Sequence, residues 1–369
     1  MRILQIYPKS DFFTGAAIQL WDLTRELVRR GHEVAVATRA SEAWTDRCRA
    51  HDVTHYQLPM KSELDLRSAA RLMQIVGRHH IDIIHAHKGK GRTLGVIAGL
   101  FVAIPVLILN RGVSFPLRRF QRLGFTTKRV TAIIAVCEAI KRSLVQSGVP
   151  SDKIEVIYSG TDTARFHPGV NGAAARRELG FTGDHFVFTQ IGVRSWKGND
   201  DTIDAMGWVA PRAPRARLLI VGARNPDSLH ERVRRNGLEG VVRVIGYRED
   251  IPEILAGSDC CVDASYAGLG ITGTLREALA VGKPVIATNI EGNPELITDG
   301  QTGWLVPPRA PEALASAMLK THQDPGAARA MARAGQRRVR AMFSMTAKVD
   351  RTEALYRRSL GDRRGAKGG

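Results

Sequence analysis

Residues 264–303 read ASYAGLGITGTLREALAVGKPVIATNIEGNPELITDGQTG, and this stretch decides the fold. Within it, residues 268–273 spell G-x-G-x-x-G between a predicted strand at residues 259–264 and a predicted helix at residues 274–280. A strand, a glycine loop and a helix in this order are typical of sheets that bind nucleotide phosphates. Glycine lets the backbone approach a ligand closely, and the helix N-terminus offers unpaired N–H groups to a pyrophosphate. The alternative is a plain tight turn that binds nothing.

The rest of the chain repeats this alternation of short apolar strands and amphipathic helices. Apolar side chains at helical spacing, from Ile18 to Val28, predict a helix over residues 16–30, which Gly31 ends. Repeated strand–helix units predict parallel sheets covered by helices on both faces. The predicted strands lie at residues 2–6, 34–37, 81–85, 106–109, 132–135, 154–157, 186–191, 217–221, 242–245, 259–264 and 284–287.

The alternation restarts after Pro168, which predicts two doubly wound α/β domains. We expect residues 1–168 to form the first domain and residues 169–345 to form the second. An amphipathic stretch near residues 346–360 predicts a last helix, and the basic, glycine-rich residues 361–369 are expected to be disordered.

Composition is that of an ordinary globular protein and excludes a disordered, collagen-like or coiled-coil chain. The chain has 369 residues, of which 44% are hydrophobic, and its 54 Lys and Arg outnumber its 36 Asp and Glu to give a formal net charge of +18. Such a charge suggests acidic partners, namely nucleotide phosphates, anionic lipid headgroups or nucleic acid, although no specific nucleic-acid motif occurs.

Cysteine use and hydropathy favour a cytoplasmic location. The four cysteines include no CxxC pair, so we expect buried thiols in a reducing compartment, with neither a disulfide framework nor a structural zinc site. The beginning of the chain lacks the shape of a signal peptide. The longest uncharged run, at residues 94–109, is short for a membrane span and contains Pro105, so a helix followed by a buried strand is expected.

A basic segment follows in the first domain, with apolar residues between its cations. Two interpretations stay open: a solvated face, or a patch that binds an anionic membrane surface or a phosphorylated acceptor. The cations are Arg111, Arg118, Arg119, Arg122, Lys128 and Arg129, and the apolar residues are Phe115, Phe120, Leu123 and Phe125.

The opening stretch resembles the donor-binding signature of the retaining glycosyltransferases with the GT-B fold, the large family numbered four and also described as glycosyl transferases group 1. The resemblance covers nearly the whole chain, because further segments are similar to the family in the same order. These segments are TGA at residues 14–16, RGHEV at 30–34, IHAH at 84–87, IYSGTD at 157–162 with Phe166 and Pro168 after it, and GVRSWKG at 192–198.

The resemblance implies an α/β architecture of two Rossmann-like domains that face a central cleft. It implies that residues 1–168 bind the acceptor, that residues 169–345 bind the nucleotide sugar, and that residues 346–369 form a helix that packs back on the first domain, followed by a basic tail. The implied reaction moves a hexose from a nucleotide-diphosphate sugar to a saccharide or lipid-linked acceptor, with retention and with neither metal nor cofactor. We expect it to serve surface polysaccharide or lipopolysaccharide synthesis, at the inner face of the membrane.

Four side chains carry the predicted chemistry. Arg194 and Lys197 follow the first strand of the second domain, where ligands of α/β sheets bind, and two fixed cations there suit a leaving diphosphate. The resemblance assigns this role to the same pair, Glu277 to the nucleotide ribose, and His87 to the transferred sugar. The alternatives are two solvated charges, a carboxylate that favours a helix start, and a histidine satisfied within the fold. The resemblance also assigns donor-binding roles to Gly15, Gly192, Tyr247, Gly270, Ile271, Thr272, Gly273 and Thr274.

Leu269 departs from the family pattern, which usually has a second glutamate at this place before Glu277. A leucine cannot accept hydrogen bonds from sugar hydroxyls, and burying those hydroxyls unpaired is unfavourable. Three explanations stay open: the donor sugar lacks a hydroxyl there, Tyr266 or Asp263 substitutes, or the protein binds a nucleotide sugar with weak or no transfer.

A different class of function, an NAD-dependent enzyme, is the alternative that G-x-G-x-x-G alone allows. Glu291 lies roughly where the acidic residue of such a fingerprint would stand. The fingerprint comes late in this chain, however, and this function would leave Arg194 and Lys197 without a role.

Overall fold

The computed structural model describes residues 1–12, 14–117, 119–267 and 270–365, and in it the chain forms two compact units. The first unit holds Met1–Gly160 and Met345–Gly369, and the second unit holds Thr161–Ser344. The division follows Gly160 and not residue 168, because the Thr161 N–H donates to the Phe343 oxygen at 2.8 Å and so ties the next residues to the second unit.

The first unit is built on a seven-stranded sheet whose neighbouring strands pair in parallel. Its elements are β1 (Arg2–Tyr7), α1 (Gly15–Arg29), β2 (Glu33–Thr38), α2 (Glu42–Arg49), β3 (Thr54–Gln57), α3 (Leu66–His79), β4 (Ile83–Ala86), α4 (Lys88–Phe101), β5 (Val106–Arg111), α5 (Arg119–Thr126), β6 (Ala132–Ala135), α6 (Glu138–Gln146), a 3₁₀ turn (Ser151–Lys153) and β7 (Ile154–Val156). The strand order is β3-β2-β1-β4-β5-β6-β7.

The strand order reverses beside β1. Ile3 of β1 pairs with Val34 of β2 on one side and with Ile83 of β4 on the other. Where the order reverses, the loops that follow the two strands diverge and leave room for ligands at the carboxyl edge of the sheet. His87 follows β4 directly, so the topology places it at this edge.

The second unit repeats the plan with six parallel strands. Its elements are α7 (Ala173–Glu178), β8 (Phe186–Ile191), α8 (Asn199–Val209), β9 (Ala216–Val221), α9 (Asp227–Arg235), β10 (Val242–Ile245), α10 (Ile251–Gly257), β11 (Cys260–Asp263), α11 (Gly273–Val281), β12 (Val285–Thr288), α12 (Asn293–Leu296), β13 (Trp304–Val306), α13 (Pro311–Gln323) and α14 (Pro325–Met342). The order β10-β9-β8-β11-β12-β13 reverses beside β8, at the loops that carry residues 192–198 and 264–272.

The last helix, α15 (Met345–Gly365), belongs to the first unit. Its buried Val349, Leu355 and Tyr356 join a core cluster with Ile3 and Leu23. The helix completes the first unit's hydrophobic core, because these side chains cover apolar residues of β1 and α1.

A polar clamp holds the start of α15. Lys348 Nζ donates to the Gln19 backbone oxygen at 2.7 Å, and the Gln19 side chain exchanges hydrogen bonds of 2.6 and 2.8 Å with the Gly160 backbone. Gly160 has no room for a side chain, since a Cβ there would lie 2.6 Å from Met345 Cα.

The predicted elements agree with the structure best where strands are buried. The edge strands β3 and β13 were not predicted, because β3 is partly exposed and neither has a continuous buried apolar run. The sequence also does not predict the start of α4, since the residues KGKG at 88–91 are typical of a loop. The glycines let this helix lie close to the sheet: a Cβ on Gly91 would lie 3.2 Å from Pro8 Cδ, and a Cβ on Gly95 would lie 3.1 Å from Leu107 Cδ1. The uncharged run at residues 94–109 is divided between α4 and β5, and no helix of the described residues is long and apolar enough to span a membrane.

The four cysteines are free and buried, as predicted. Cys260 and Cys261 lie in β11, where burial raises the pKa of both thiols. Cys48 and Cys137 are buried in the first unit. All four therefore act as small apolar side chains of the two cores.

Gly160→Ala should destabilise the first unit, because the new Cβ would press on the Met345 backbone. Overpacking of this kind costs about 1–3 kcal/mol, and thermal unfolding measures it. Gly77→Ala is the matched control, since Gly77 lies inside α3 and a Cβ there meets no atom within 4 Å. The control should gain about 0.5–1 kcal/mol. Equal shifts in Tm for both variants would contradict this account of how α15 is held.

Candidate functional site

Glycines end the central strands of the second unit and open its carboxyl edge. Gly192 after β8 and Gly222 after β9 both have a φ of 97°, a conformation that favours glycine. A Cβ on Gly222 would lie 3.6 Å from Gly192 Cα, so the two turns run side by side. Tyr247 follows β10 at the same edge and is largely exposed. The structure thus places two predicted donor residues, Gly192 and Tyr247, along one sheet edge.

Lys197 is held by an ion pair that the sequence did not predict. Its Nζ lies 2.7 Å from Asp263 Oδ2 at the end of β11, and the Asp263 side chain is almost fully buried. The pair forms because Gly198 lies against β11: its φ is 61°, and a Cβ on it would lie 2.1 Å from the Ala264 oxygen. Lys197 therefore carries a partly neutralised charge, while Arg194 is exposed and donates to the adjacent Val193 oxygen at 2.6 Å.

The start of α11 has hydrogen-bonding capacity that the protein does not use. Thr272 is the N-cap, yet its side chain makes no capping hydrogen bond. The hydroxyls of Thr272 and Thr274 are both buried and have no partner among the described residues. Helix N-termini carry unpaired N–H groups and a positive dipole end, so this position suits an anion with acceptor oxygens.

Glu277 and the glycine loop lie around this helix start. A Cβ on Gly273 would lie 3.8 Å from Glu277 Oε1, so the carboxylate reaches back along the helix toward its N-terminus. Gly292 packs directly against this loop: a Cβ on it would lie 2.8 Å from Ile271 Cγ1 and 2.9 Å from the Gly270 carbonyl carbon. Residues 270–274 and Glu277 are therefore brought together at one helix end.

Gly268 and Leu269 lie outside the described residues, but the two candidate substitutes for the missing glutamate are described. Asp263 uses Oδ2 for Lys197 and Oδ1 to accept the Ser265 N–H at 3.1 Å. The Tyr266 hydroxyl donates to the Ser195 oxygen, and the Arg309 guanidinium lies 4.1 Å from its ring centre. Both side chains have structural partners, which argues against either as a substitute.

A cavity of about 440 Å³ lies beside Arg194. Its lining includes Asp200 and Asp201 but neither Lys197 nor the start of α11. Burial, with Asp204 and Asp200 as further causes, raises the pKa of Asp201. The lining sets these two carboxylates against two cations, Arg194 and Arg309, and reaches neither Lys197 nor α11. We therefore take the open edge, and not the cavity, as the candidate donor site.

In the first unit, His87 is buried and both of its ring nitrogens have partners. Its Nε2 lies 2.7 Å from Gln5 Oε1 and donates to it, while its Nδ1 accepts from Asn110 Nδ2 at 3.1 Å. The ring stacks on His85 with 4.2 Å between centroids, and Tyr356 OH lies 2.7 Å from His85 Nδ1. His87 is therefore a neutral ring fixed in one tautomer, 7% exposed at the sheet edge.

Gly15 is the first residue of α1 and is exposed, and a Cβ on it would meet no atom within 4 Å. The Thr14 hydroxyl before it lies 2.7 Å from Tyr7 OH and accepts the Ala17 N–H. A larger residue at position 15 would therefore meet no steric conflict within the first unit.

The predicted basic patch is only partly on the surface. Arg111 is buried and donates to the Phe115 oxygen, and Phe125 is buried with the Arg92 guanidinium 5.2 Å from its ring centre. These two residues therefore do not belong to an exposed face, because they pack behind it. Exposed members are Arg122, Lys128, Arg129, Phe115 and Leu123; Arg118 lies outside the described residues, as do the side chains of Arg119 and Phe120.

Two family matches cover most of the chain. Residues 13–165 match the family described as Glycosyltransferase Family 4, and residues 184–324 match the family described as Glycosyl transferases group 1. The chain belongs to the family-four, group 1 glycosyltransferases. This membership replaces the NAD-dependent enzyme as the interpretation of the glycine loop.

Relatives of this glycosyltransferase differ in their acceptors. The chain is 26% identical over 313 residues to the UDP-Gal:alpha-D-GlcNAc-diphosphoundecaprenol alpha-1,3-galactosyltransferase of Escherichia coli, a match that covers 79% of each chain. It is 26% identical over 405 residues to the D-inositol 3-phosphate glycosyltransferase of Kineococcus radiotolerans, with 96% of this chain and 92% of the relative covered.

Solved structures share the fold of this glycosyltransferase. A glycosyltransferase from Rickettsia africae has a TM-score of 0.87 at 20% identity, covering 97% of this chain and 98% of its own. HepE from Anabaena, solved in complex with UDP, has a TM-score of 0.85 at 23% identity, covering 96% of this chain and 99% of its own. The predicted GT-B fold, with two parallel α/β sheets, is confirmed.

Three residues near the predicted sites were missed from the sequence. Gln5 and Asn110 bond the His87 ring, and Gly222 lies beside Gly192. The first two carry a recognisable signal, since Gln5 lies between buried apolar residues of β1 and Asn110 follows four buried apolar residues of β5. Such residues must find hydrogen-bond partners, and the neighbouring strand ends supply them.

The two buried histidines should make this glycosyltransferase acid-sensitive below about pH 6.5. Burial, with Lys348 as a second cause, lowers the pKa of His85 to about 3, and burial with His85 holds the pKa of His87 well below its ordinary value. The unfolded chain then binds more protons than the folded chain, so stability is full above about pH 6.5 and falls as the pH falls.

Thermal unfolding at about pH 7 and pH 5 measures this loss. The His85→Gln/His87→Gln variant should show a smaller fall in Tm than the wild type across the same interval, because both titrating imidazoles are removed. An equal fall in both proteins would show that the histidines are not held neutral.

Lys197→Met should destabilise the second unit, because it leaves the buried Asp263 carboxylate without its ion pair. Removing one partner of a buried pair costs about 3–5 kcal/mol. The Lys197→Met/Asp263→Asn variant removes both charges and should recover most of that loss, as measured by thermal unfolding. If the double variant is as unstable as the single one, the ion pair does not support the loop.

Proposed function

We propose that this glycosyltransferase moves a sugar from a nucleotide-diphosphate donor, held by the second unit, to an acceptor held by the first. The observation that carries the proposal is the start of α11, where two buried threonine hydroxyls have no hydrogen-bond partner among the described residues and the N-cap side chain makes no capping bond. A diphosphate supplies acceptor oxygens for these groups and negative charge for the helix dipole.

In this proposal, the second unit stabilises the charge that develops on the leaving diphosphate. The N–H groups at Gly273 and Thr274, the exposed Arg194 and the Lys197 ammonium supply positive potential around it, so no metal is required. Glu277 accepts hydroxyls of the nucleotide ribose, and Gly192 and Tyr247 complete the donor edge. The leaving phosphate takes the acceptor proton, and transfer proceeds with retention.

The relatives support a UDP sugar as donor. HepE was solved with UDP bound, and the Escherichia coli relative is a UDP-Gal-dependent galactosyltransferase by name. The first unit binds the acceptor at its own sheet edge, with the neutral His87 ring beside the transferred sugar. Gly15 is a further proposed donor-binding residue.

We place the protein at the cytoplasmic face of a membrane, in surface polysaccharide or lipopolysaccharide synthesis. The E. coli relative is named for a diphosphoundecaprenol-linked acceptor. The first unit exposes Phe101, Leu123, Arg122, Lys128 and Arg129, and a Cβ on Gly99 of α4 would lie 3.9 Å from Arg129 Cβ. Apolar side chains beside cations suit an anionic lipid surface.

Thr274→Val tests the donor site without disturbing the fold, because it removes a buried hydroxyl that has no partner among the described residues. Affinity for UDP should fall about tenfold or more, since a hydrogen bond to a charged group contributes about 1.5–3 kcal/mol. Thermal shift with UDP, GDP, ADP, CMP, TDP and NAD measures it. Thr24→Val is the matched control, because the Thr24 hydroxyl is also buried without a partner in the described part of the chain but lies in α1 of the first unit.

The proposal is supported if a nucleoside diphosphate stabilises both the wild type and Thr24→Val but does not stabilise Thr274→Val. Equal stabilisation of all three proteins would refute the assignment of the diphosphate to α11. Donor binding without sugar transfer or donor hydrolysis would favour the second candidate function, a nucleotide-sugar-binding protein in which Leu269 replaces the usual glutamate.

A further inference from the structure

Three cations gather at the carboxyl edge of the first unit's sheet, and we call them the buried cation cluster: Lys88, Arg92 and Arg111. Lys88 begins α4, Arg92 lies one turn further along it, and Arg111 ends β5. Arg92 is only 8% exposed and Arg111 only 5% exposed, and Lys88 is half-buried. Buried arginines and lysines are rare in proteins unless they are paired.

In the part of the chain that the structure describes, the cluster lacks the carboxylate partners that burial normally requires. Among the residues that the structure describes, none of the three cations has a carboxylate oxygen within 4.0 Å. Arg92 donates to the Asn110 oxygen at 2.9 Å, and Arg111 donates to the Phe115 oxygen. These neutral carbonyls satisfy some N–H donors but do not replace an ion pair, and none of the three cations has one among the described residues.

The nearby carboxylates act only at longer range, and other cations oppose them. Glu63 attracts Arg92 and Asp11 attracts Lys88, whereas Arg111 repels Arg92 and Lys9 repels Lys88. Burial, with Arg111 as the second cause, lowers the pKa of Arg92 to about 10, and burial lowers the pKa of Arg111. The folded chain thus holds like charges together at an energetic cost that a bound anion would reverse.

The helix start adds to this positive potential. His87 is the N-cap of the 14-residue α4 and makes no side-chain capping bond, since its ring is used by Gln5 and Asn110. Lys88 has a φ of 59°, which is unfavourable for a non-glycine residue. The dipole of α4 and the cluster therefore act at the same place, directly after the predicted sugar-contacting His87.

We propose that Lys88, Arg92 and Arg111 bind an anionic group of the acceptor, a phosphate or diphosphate, together with the first turn of α4. The buried cation cluster then selects phosphorylated acceptors over neutral saccharides and orients the anion beside His87. The identification of the ligand as the acceptor rests on the proposed function; the anion site itself rests on the first unit alone.

Hydrogen–deuterium exchange of the full chain tests the site, with inorganic phosphate as the probe and chloride at the same ionic strength as reference. Excess UDP is present throughout, so that phosphate does not occupy the donor site. Phosphate should protect residues 88–92 in the wild type. In Arg92→Gln and in Arg111→Gln, the phosphate concentration for half-protection should rise at least tenfold. Arg71→Gln, which removes an exposed charge from α3, is the matched control and should behave as the wild type.

Unchanged phosphate protection in Arg92→Gln and Arg111→Gln, or none in the wild type, would overturn the proposal. If one of the two variants fails to fold, the other decides. A parallel exchange measurement with and without UDP reports the proposed function separately, because UDP should protect residues 272–275 of the second unit. Loss of UDP protection with phosphate protection intact would refute the donor site and leave the anion site standing.

Two further probes identify the source of the phosphate. Glycerol 3-phosphate offers a soluble phosphate monoester, and phosphatidylcholine vesicles containing phosphatidic acid offer the same group on a membrane. Protection of residues 88–92 by the first alone supports a soluble phosphorylated acceptor, and protection by the vesicles supports a lipid-borne one. Protection by neither contradicts the proposal.

Discussion

The Lys197 ammonium lies 2.7 Å from the buried Asp263 carboxylate, and the candidate donor site of the second unit depends on this ion pair. It joins the loop after β8 to the end of β11, on the two sides of the point where the strand order reverses. Gly198 makes the contact sterically permissible, since any side chain there would collide with the Ala264 oxygen. One close approach of two backbones thus fixes a cation at the sheet edge, next to the loop that leads into α11.

The two units differ in how the cations at their carboxyl sheet edges are paired. The second unit pairs Lys197 with Asp263 and leaves two threonine hydroxyls at the start of α11 without a partner among the described residues. The first unit keeps Arg92 and Arg111 buried without a carboxylate partner among the described residues. The arrangement in the second unit suits an anion held mainly by hydrogen bonds and a helix dipole, and the arrangement in the first unit suits an anion held by cations.

The sequence predicts the central strands well, because strands buried on both faces need continuous apolar runs. It predicts the position of the glycine loop, since only a few residue types fit a tight turn before a helix. It could not predict that Lys197 pairs with Asp263, because the partners are 66 residues apart and only the sheet order brings them together. It misplaced Arg111 and Phe125 on the surface for the same reason: charge and local amphipathicity do not show which face the rest of the sheet covers.

The most direct test of the central claim is a crystal structure of the protein with UDP bound. The account predicts that the diphosphate oxygens lie within hydrogen-bond distance, about 2.7–3.2 Å, of the backbone nitrogens at Gly273 and Thr274 and of Thr274 Oγ1. It also predicts that the Lys197–Asp263 pair remains in place beneath them. A diphosphate in the cavity lined by Asp200 and Asp201, or one that contacts no atom of α11, would contradict the account.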